Sequence, residues 1–243
     1  RWVRAAAEVD VSWGPVLAAA GTTASVSGIA ALVTIVLALP IGVLAAHSGG
    51  PLSRTTEAVA QIGFALPGIT VGLAVVFVGI RLVPGLYQRV PMLVFAYVVL
   101  FLPLAVGVVR SAVDAIPTAL EDASESLGSG RVRTFLRVVA PLAAPGVLAG
   151  GSLVFLSVAK ELPATLLLRP TGAETLASAM WAHTEVAAYS QAAPYAAMLV
   201  AVAVIPAAVL GRSFGWGSGG SGRGVPERAA IAAQAERTEV GRR

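Results

Sequence analysis

The 243-residue chain has no cysteine, two histidines and a single lysine. Without cysteine there is no disulfide framework, no thiolate nucleophile and no thiolate-bound metal. A phosphate-binding loop of the Gly-Lys-Ser/Thr kind sets a lysine beside a hydroxyl. Here Lys160 is followed by Glu161, so the chain supplies no such nucleotide site. No HExxH pattern, paired-cysteine pattern or Ser–His–Asp order appears either. Charge is scarce as well, at 12% of residues, about half of what a soluble domain carries.

Apolar residues fill that gap. They make up 56% of the chain, and the mean hydropathy is +0.81. Such a composition belongs to a polytopic membrane protein. The net charge of +4 rests almost wholly on arginine, and loops obeying the positive-inside bias account for it better than a nucleic-acid surface.

Five apolar segments are long enough to span, at about 23–46, 58–80, 92–113, 146–168 and 195–210. Helices are expected, because a backbone facing lipid must satisfy its own hydrogen bonds. Residues 1–22 read as an outer segment, 114–145 as a loop between the third and fourth spans, and 211–243 as a flexible tail opening on a Gly/Ser-rich run. With the loop and the tail placed inside, most arginines fall inside. Arg1, Arg4, Arg81, Arg89, Lys160 and Arg169 fall outside. That orientation puts the amino terminus outside, and the first residue is Arg1 rather than methionine. The expectation is the carboxy-terminal half of something longer, with an upstream span.

Proline recurs in or at the ends of the spans, at Pro40, Pro67, Pro103, Pro163 and Pro206. Leu66-Pro67-Gly68 falls near the middle of the second span, where a break frees carbonyls that only neighbouring helices or a wet cavity can satisfy. One such proline reads as a packing kink. Several together point to a bundle that lines a pathway.

The segment 114–145 is the polar exception in this chain. Pro117 suits a helix start. Ala119, Leu120, Ala123 and Leu127 keep helical spacing, and Glu121, Asp122 and Glu125 take the other faces. Gly128 is the expected stop, because glycine enters the left-handed region cheaply. Ser129 is the expected cap of a second helix, whose apolar stripe is Val132, Phe135, Leu136 and Val139 with Arg131, Arg133 and Arg137 on the polar side. Pro141 and Pro145 are expected to close that helix before the fourth span. An acidic helix would be repelled by anionic headgroups, so the pair reads as a module that docks on a protein.

Asp122-Ala123-Ser124, Gly128 and then Val138-Val139-Ala140-Pro141 resemble the EAA loop of binding-protein-dependent ABC importer permeases. In that family the pattern is Glu-Ala-Ala, three residues, Gly, nine residues, Ile-x-Leu-Pro. This chain departs by Asp for Glu, Ser for the second Ala, Val for Ile and Ala for Leu. The resemblance implies an all-α membrane fold of the type I importer kind. It also implies that Glu121, Asp122, Ala123, Ser124, Gly128, Phe135 and Pro141 form a coupling loop seated on a cytoplasmic ATPase. Asp122 would be its contact acid and Gly128 its hinge.

The run from Lys160 to Pro170, with Thr175-Leu176-Ala177 and Trp181 behind it, is similar to the iron(III)-type permeases, as are Ala65-Leu66-Pro67-Gly68 and Phe101-Leu102-Pro103. The resemblance implies a permease that moves iron(III) across the cell membrane. Its partners would be separate ATPase subunits holding ATP and magnesium, an extracytoplasmic binding protein, a second permease half and membrane lipid. No cofactor or metal site is expected in this chain itself. Sulfate, thiamine, polyamine or phosphonate would be the alternative cargoes. An ion-coupled secondary transporter would explain the broken helices but not the loop.

Pro67, Gly68, Pro103, Lys160, Glu161 and Pro163 are the candidate pathway or gate residues. Lys160 and Glu161 stand either deep in the fourth span, where charge is functional by default, or at its outer end if Pro163 stops the helix. Adjacent residues on a helix point about 100° apart, so the two make a poor mutual pair. His183, Glu185 and Tyr189 are too loosely spaced for a tight metal site and read as an outer surface helix. His47, beside Ser48-Gly49-Gly50, reads as a loop residue.

Overall fold

The computed structural model describes residues 12–47, 50, 55 and 67–213. The first part of the expected second span (58–66), the first half of the expected outer segment (1–11) and nearly all of the tail lie outside the described residues. Among the described residues the fold is helical throughout. The elements are α1 (Trp13–His47), α2 (Gly68–Leu82), a 3₁₀ turn (Pro84–Leu86), α3 (Val90–Asp114), α4 (Thr118–Ser126), α5 (Arg131–Ala159), α6 (Pro163–Leu168), α7 (Leu176–Glu185) and α8 (Tyr189–Ser213). Helices α1, α3 and α5, together with Tyr189–Ala208 of α8, are long and apolar enough to cross a membrane, while α2 is apolar but shorter.

Several boundaries differ from those expected. Helix α1 begins at Trp13 and runs for 35 residues, or ~52 Å against a hydrocarbon core of ~30 Å. It therefore takes up half of the expected outer segment and ends at His47, which is helical and not in a loop. The fourth span starts at Arg131, fifteen residues before the expected 146, so the second helix of the polar loop and the fourth span are one rod. Pro141 and Pro145 lie within this rod and do not close it. Pro141 cannot donate to the carbonyl of Arg137, and its ring crowds that group. The chain answers with a π turn over Phe135–Val139, in which the Ala140 N–H bonds the Phe135 carbonyl. The helix widens there instead of breaking. Pro40, Pro103 and Pro206 likewise sit inside continuous helices, whereas Pro67 and Pro163 mark helix starts.

Packing follows an inverted rule. The buried positions of α1 include Ala19, Thr23, Ser27, Ala30, Thr34, Ala38, Gly42 and Ala45, all small. Its exposed positions include Leu17, Ile29, Leu32, Val36, Leu37, Ile41 and Leu44, all large and apolar. In lipid, large side chains lose nothing by facing out, and association depends on close van der Waals contact between small ones. The buried hydroxyls bond to their own helix, as in Thr23 Oγ1 to Ala19 O (2.8 Å) and Thr34 Oγ1 to Ala30 O (2.6 Å). The main core runs through α1, α2, α3, α5 and α6 around Leu93, Tyr97, Val109, Val154 and Leu168.

The bundle has two unlike ends. At one, α4 and the start of α5 stand over Val43, Ala46, Val113, Ile116 and Val139. At the other, α7 packs on the first turns of α1 and on α8, through Val16, Ala19, Leu176 and Tyr195. There the Leu176 N–H donates to Thr23 Oγ1 at 2.8 Å, tying α7 to α1 across 153 residues.

Two glycines set the closest helix approaches. A Cβ on Gly42 would lie 2.6 Å from a Val109 methyl and 3.2 Å from the Arg110 amide, and one on Gly150 would lie 2.5 Å from Val108. Valine is stiff at χ1 and cannot swing away. We expect Gly42→Ala or Gly150→Ala to lower stability by about 1–3 kcal/mol, read as earlier thermal unfolding in detergent. Gly107→Ala, which meets nothing within 4 Å, should not destabilise.

Candidate functional site: a docking loop and a capped helix break

The polar loop is built by its turn. Pro117 takes the N-cap position of α4 in extended conformation, one residue before the expected start, and Glu121 stands in the first turn, where a carboxylate suits the helix dipole. At the other end Gly128 adopts φ +86°. The Gly128 N–H bonds the Glu125 carbonyl (2.9 Å), and the Ser129 N–H bonds the Ser124 carbonyl (3.2 Å). These two bonds are a Schellman closure, so Gly128 is the helix stop anticipated from sequence. Ser129 does not cap the next helix. Gly130 holds that position without a side-chain bond.

Ser124, which departs from the motif's alanine, has a local role. Its hydroxyl lies 3.0 Å from the hydroxyl of Thr134, a residue only 2% exposed. The bond fastens α4 to the start of α5. The expected apolar stripe divides as a result. Val139 is buried and Phe135 half-buried, while Val132 (73%) and Leu136 (61%) face outward. Thr134 takes the inward place, and the π turn rotates the residues after it relative to those before.

No residue of α4 is buried. Asp122, Ala123 and Glu125 are exposed, and Leu127 at the turn is 88% exposed. The loop thus presents an apolar tip at Leu127 among carboxylates, with Val132, Leu136, Arg131, Arg133 and Arg137 beside it. Its inner side is fixed by Ser124–Thr134 and by an ion pair between His47 Nε2 and Glu121 Oε2 (3.1 Å).

The second group lies at the break after α5. Lys160 is the C-cap of α5 and is exposed, and Pro163 opens α6. The single-turn gap leaves amides at the start of α6 without helical partners. Glu161 fills that role, because its Oε1 accepts the Ala164 N–H at 3.1 Å. Its backbone carbonyl accepts the Thr165 hydroxyl at 2.5 Å, and Tyr97 Oη lies 2.6 Å from the same Thr165 oxygen. Thr165 has one proton, given to Glu161, so Tyr97 donates to Thr165. Tyr97 and Thr165 are almost fully buried.

Gly68 lies against this cluster. A Cβ there would stand 2.7 Å from Glu161 Oε1, and one on Gly72 would stand 3.2 Å from Ala164 Cα. Helix α2 can approach α6 this closely because both positions lack a side chain. Of the candidate gate residues, then, the fold unites Gly68, Glu161 and Pro163, with Pro67 beside them. Lys160 turns outward. Pro103 is six residues beyond Tyr97 on α3, ~9 Å along the helix.

Sequence reasoning missed Tyr97, Thr165, Thr134 and His47. Each acts through a partner far away in sequence or on another helix, and only His47 was singled out, as a loop residue. Between α7 and α8 His183 stacks on Tyr195 with ring centroids 5.3 Å apart.

With this geometry in view, the chain is assigned by similarity. Residues 38–214 match the family described as the binding-protein-dependent transport system inner membrane component. The chain belongs to that family of transport-system membrane components. It is 36% identical over 185 residues, 76% of its length, to the Fe(3+)-transport system permease protein FbpB 2 of Haemophilus influenzae, and covers 37% of that protein. It is 32% identical over 133 residues to the phosphate transport system permease protein PstA 1 of Mycobacterium tuberculosis, covering 53% of this chain and 42% of that one. The chain thus spans less than half the length of these two relatives. Among solved structures, an inward-facing MetNI methionine ABC transporter chain superposes with a TM-score of 0.66 at 19% identity, covering 82% of this chain and 95% of that one. An alginate ABC transporter chain superposes with a TM-score of 0.63 at 16% identity, covering 81% and 78%. These confirm the all-helical permease fold.

The turn yields a direct test. Gly128→Ala places a side chain at φ +86° and should cost about 1–2 kcal/mol locally. Gly130→Ala, at φ −72° with open space, should cost much less. Hydrogen exchange across 118–139 will show faster opening in the first variant only.

Proposed function

We propose that this chain is the permease half of an ATP-driven importer for iron(III) or a ferric complex. The observation that carries the importer reading is the exposed docking surface of α4 and its Schellman turn, in a chain whose other long faces suit lipid. A separate ATPase subunit, holding ATP and magnesium, seats Leu127 and the Asp122–Glu125 face in a cleft. ATP-driven closure of that partner then moves α5, which continues from the loop into the bundle without a break. The docking acid is Asp122, and Gly128 fixes the angle between the two helices. Alternating access requires that each partner prefer one of two states of the bundle. The loop is where the ATPase applies its preference.

At the opposite end a cavity of about 340 Å³ lies between Pro15, Ala18 and Thr22 of α1 and the Arg169–Glu174 segment. That end is where an extracytoplasmic binding protein delivers cargo. The break at Lys160–Pro163, with Gly68 against Glu161, forms the gate. The iron reading rests on the Lys160–Pro170 run and on the similarity to the Fe(3+) permease. The second reading, a phosphate or molybdate cargo, is favoured by the relatives that carry those names.

Co-purification with the cognate ATPase should fall at least about tenfold on Asp122→Lys combined with Leu127→Glu. Retention of the ATPase would overturn the docking assignment. Uptake of radiolabelled iron, phosphate and molybdate by cells with and without the chain then decides the cargo. Iron uptake that depends on the chain supports the first reading, and dependence confined to an oxyanion removes it.

A further inference from the structure

We propose that His47, as an imidazolium, is a positioning residue that straps the docking helix α4 to the end of α1, so that the loop drives two helices and not one. The proposal rests on the reading of α4 as the ATPase contact. The ring lies between two acceptors. Nδ1 is 3.0 Å from the Val43 carbonyl oxygen, and Nε2 is 3.1 Å from Glu121 Oε2. A carbonyl and an ionised carboxylate can only accept, and a neutral imidazole carries one N–H. Both contacts form together only when both ring nitrogens are protonated.

The surroundings favour that state. From α4 the ring meets Glu121. From α3 the charged group that acts on it is Asp114, itself paired with Arg110 at 3.3 Å. The parts of α3 and α5 packed around Val43 and Ala46 are apolar, through Val113, Val139 and Phe135. The Val43 carbonyl first, and then the Glu121 and Asp114 carboxylates, favour the charged ring against the partial burial that opposes it.

The mechanical consequence follows from connectivity. Helix α4 passes its movement to α5 along the chain. With no buried residue of its own, it depends on polar ties for its orientation, and His47–Glu121 is the tie that reaches α1. Because α1 packs along α3, a pull at His47 reaches the core directly. When the ring loses its second proton, Nε2 and the carboxylate become two facing acceptors and the strap opens. Histidine titrates within the physiological range, so coupling through α1 weakens as pH rises.

The test uses the complete complex of permease, ATPase and binding protein in vesicles, reading ATPase activity stimulated by the loaded binding protein. His47→Gln, which cannot carry charge, should lower stimulation at least about fivefold at about pH 6 while ATPase co-purification is unchanged. The wild type should lose stimulation between about pH 6 and 8. His47→Lys, which keeps its charge, should flatten that profile. Full stimulation in His47→Gln, or a wild-type pH profile in His47→Lys, overturns the proposal. If His47→Gln fails to assemble, the His47→Lys profile decides alone. ATPase retention in the Asp122→Lys, Leu127→Glu variant defeats the docking reading instead, and is scored separately from the His47 variants.

Discussion

The bundle depends on close contact between small faces. Lipid offers no hydrophobic pressure to drive helices together, so they hold only where their surfaces meet within van der Waals reach. Along α1 this means mostly alanine, glycine, serine and threonine inward, with Val16 and Val26, and leucine and isoleucine mostly outward. Gly42 against Val109, Gly150 against Val108 and Gly146 against Ala112 are points of close approach. The buried Thr23 and Thr34 hydroxyls are compatible with this because each closes a bond to its own helix.

The same solvent forces an answer wherever a helix stops. Between α5 and α6 the amides freed at the start of α6 would otherwise face hydrocarbon or protein without partners. Glu161 caps them, Thr165 returns a bond to the Glu161 carbonyl, and Tyr97 completes the chain from α3. A polar residue in an apolar chain thus has a structural use as a helix cap. Gly68 allows α2 to come up against this cap. The break, the cap and the approach of α2 form one unit.

Much of the polar loop was legible in the sequence. The proline before α4, the acids on its faces and the glycine at its end each act through local chemistry, so their spacing carries the information. The left-handed Gly128 follows from this directly. The second helix of the loop was less legible. Pro141 and Pro145 read as stops, but both lie inside α5, where the turn before Pro141 widens over Phe135–Val139. The stripe of Val132 and Leu136 was sound as a helical period, yet its face meets solvent, because Thr134 pairs with Ser124. Periodicity reports that a helix has two faces; it does not say which of them a neighbour will cover.

By itself, the sequence determined the membrane class, the helical content, the position of the polar loop and its family resemblance. These depend on composition and on residues within a turn or two of one another. The tertiary structure alone decided that His47 meets Glu121 across 74 residues, that Tyr97 supports Thr165 across 68, and that Thr23 holds Leu176 across 153. It also decided that Lys160 turns outward while its neighbour Glu161 turns in. The reason is physical. A hydrogen bond between distant segments depends on how helices cross, and crossing is set by the sum of many small contacts that no short stretch of chain contains.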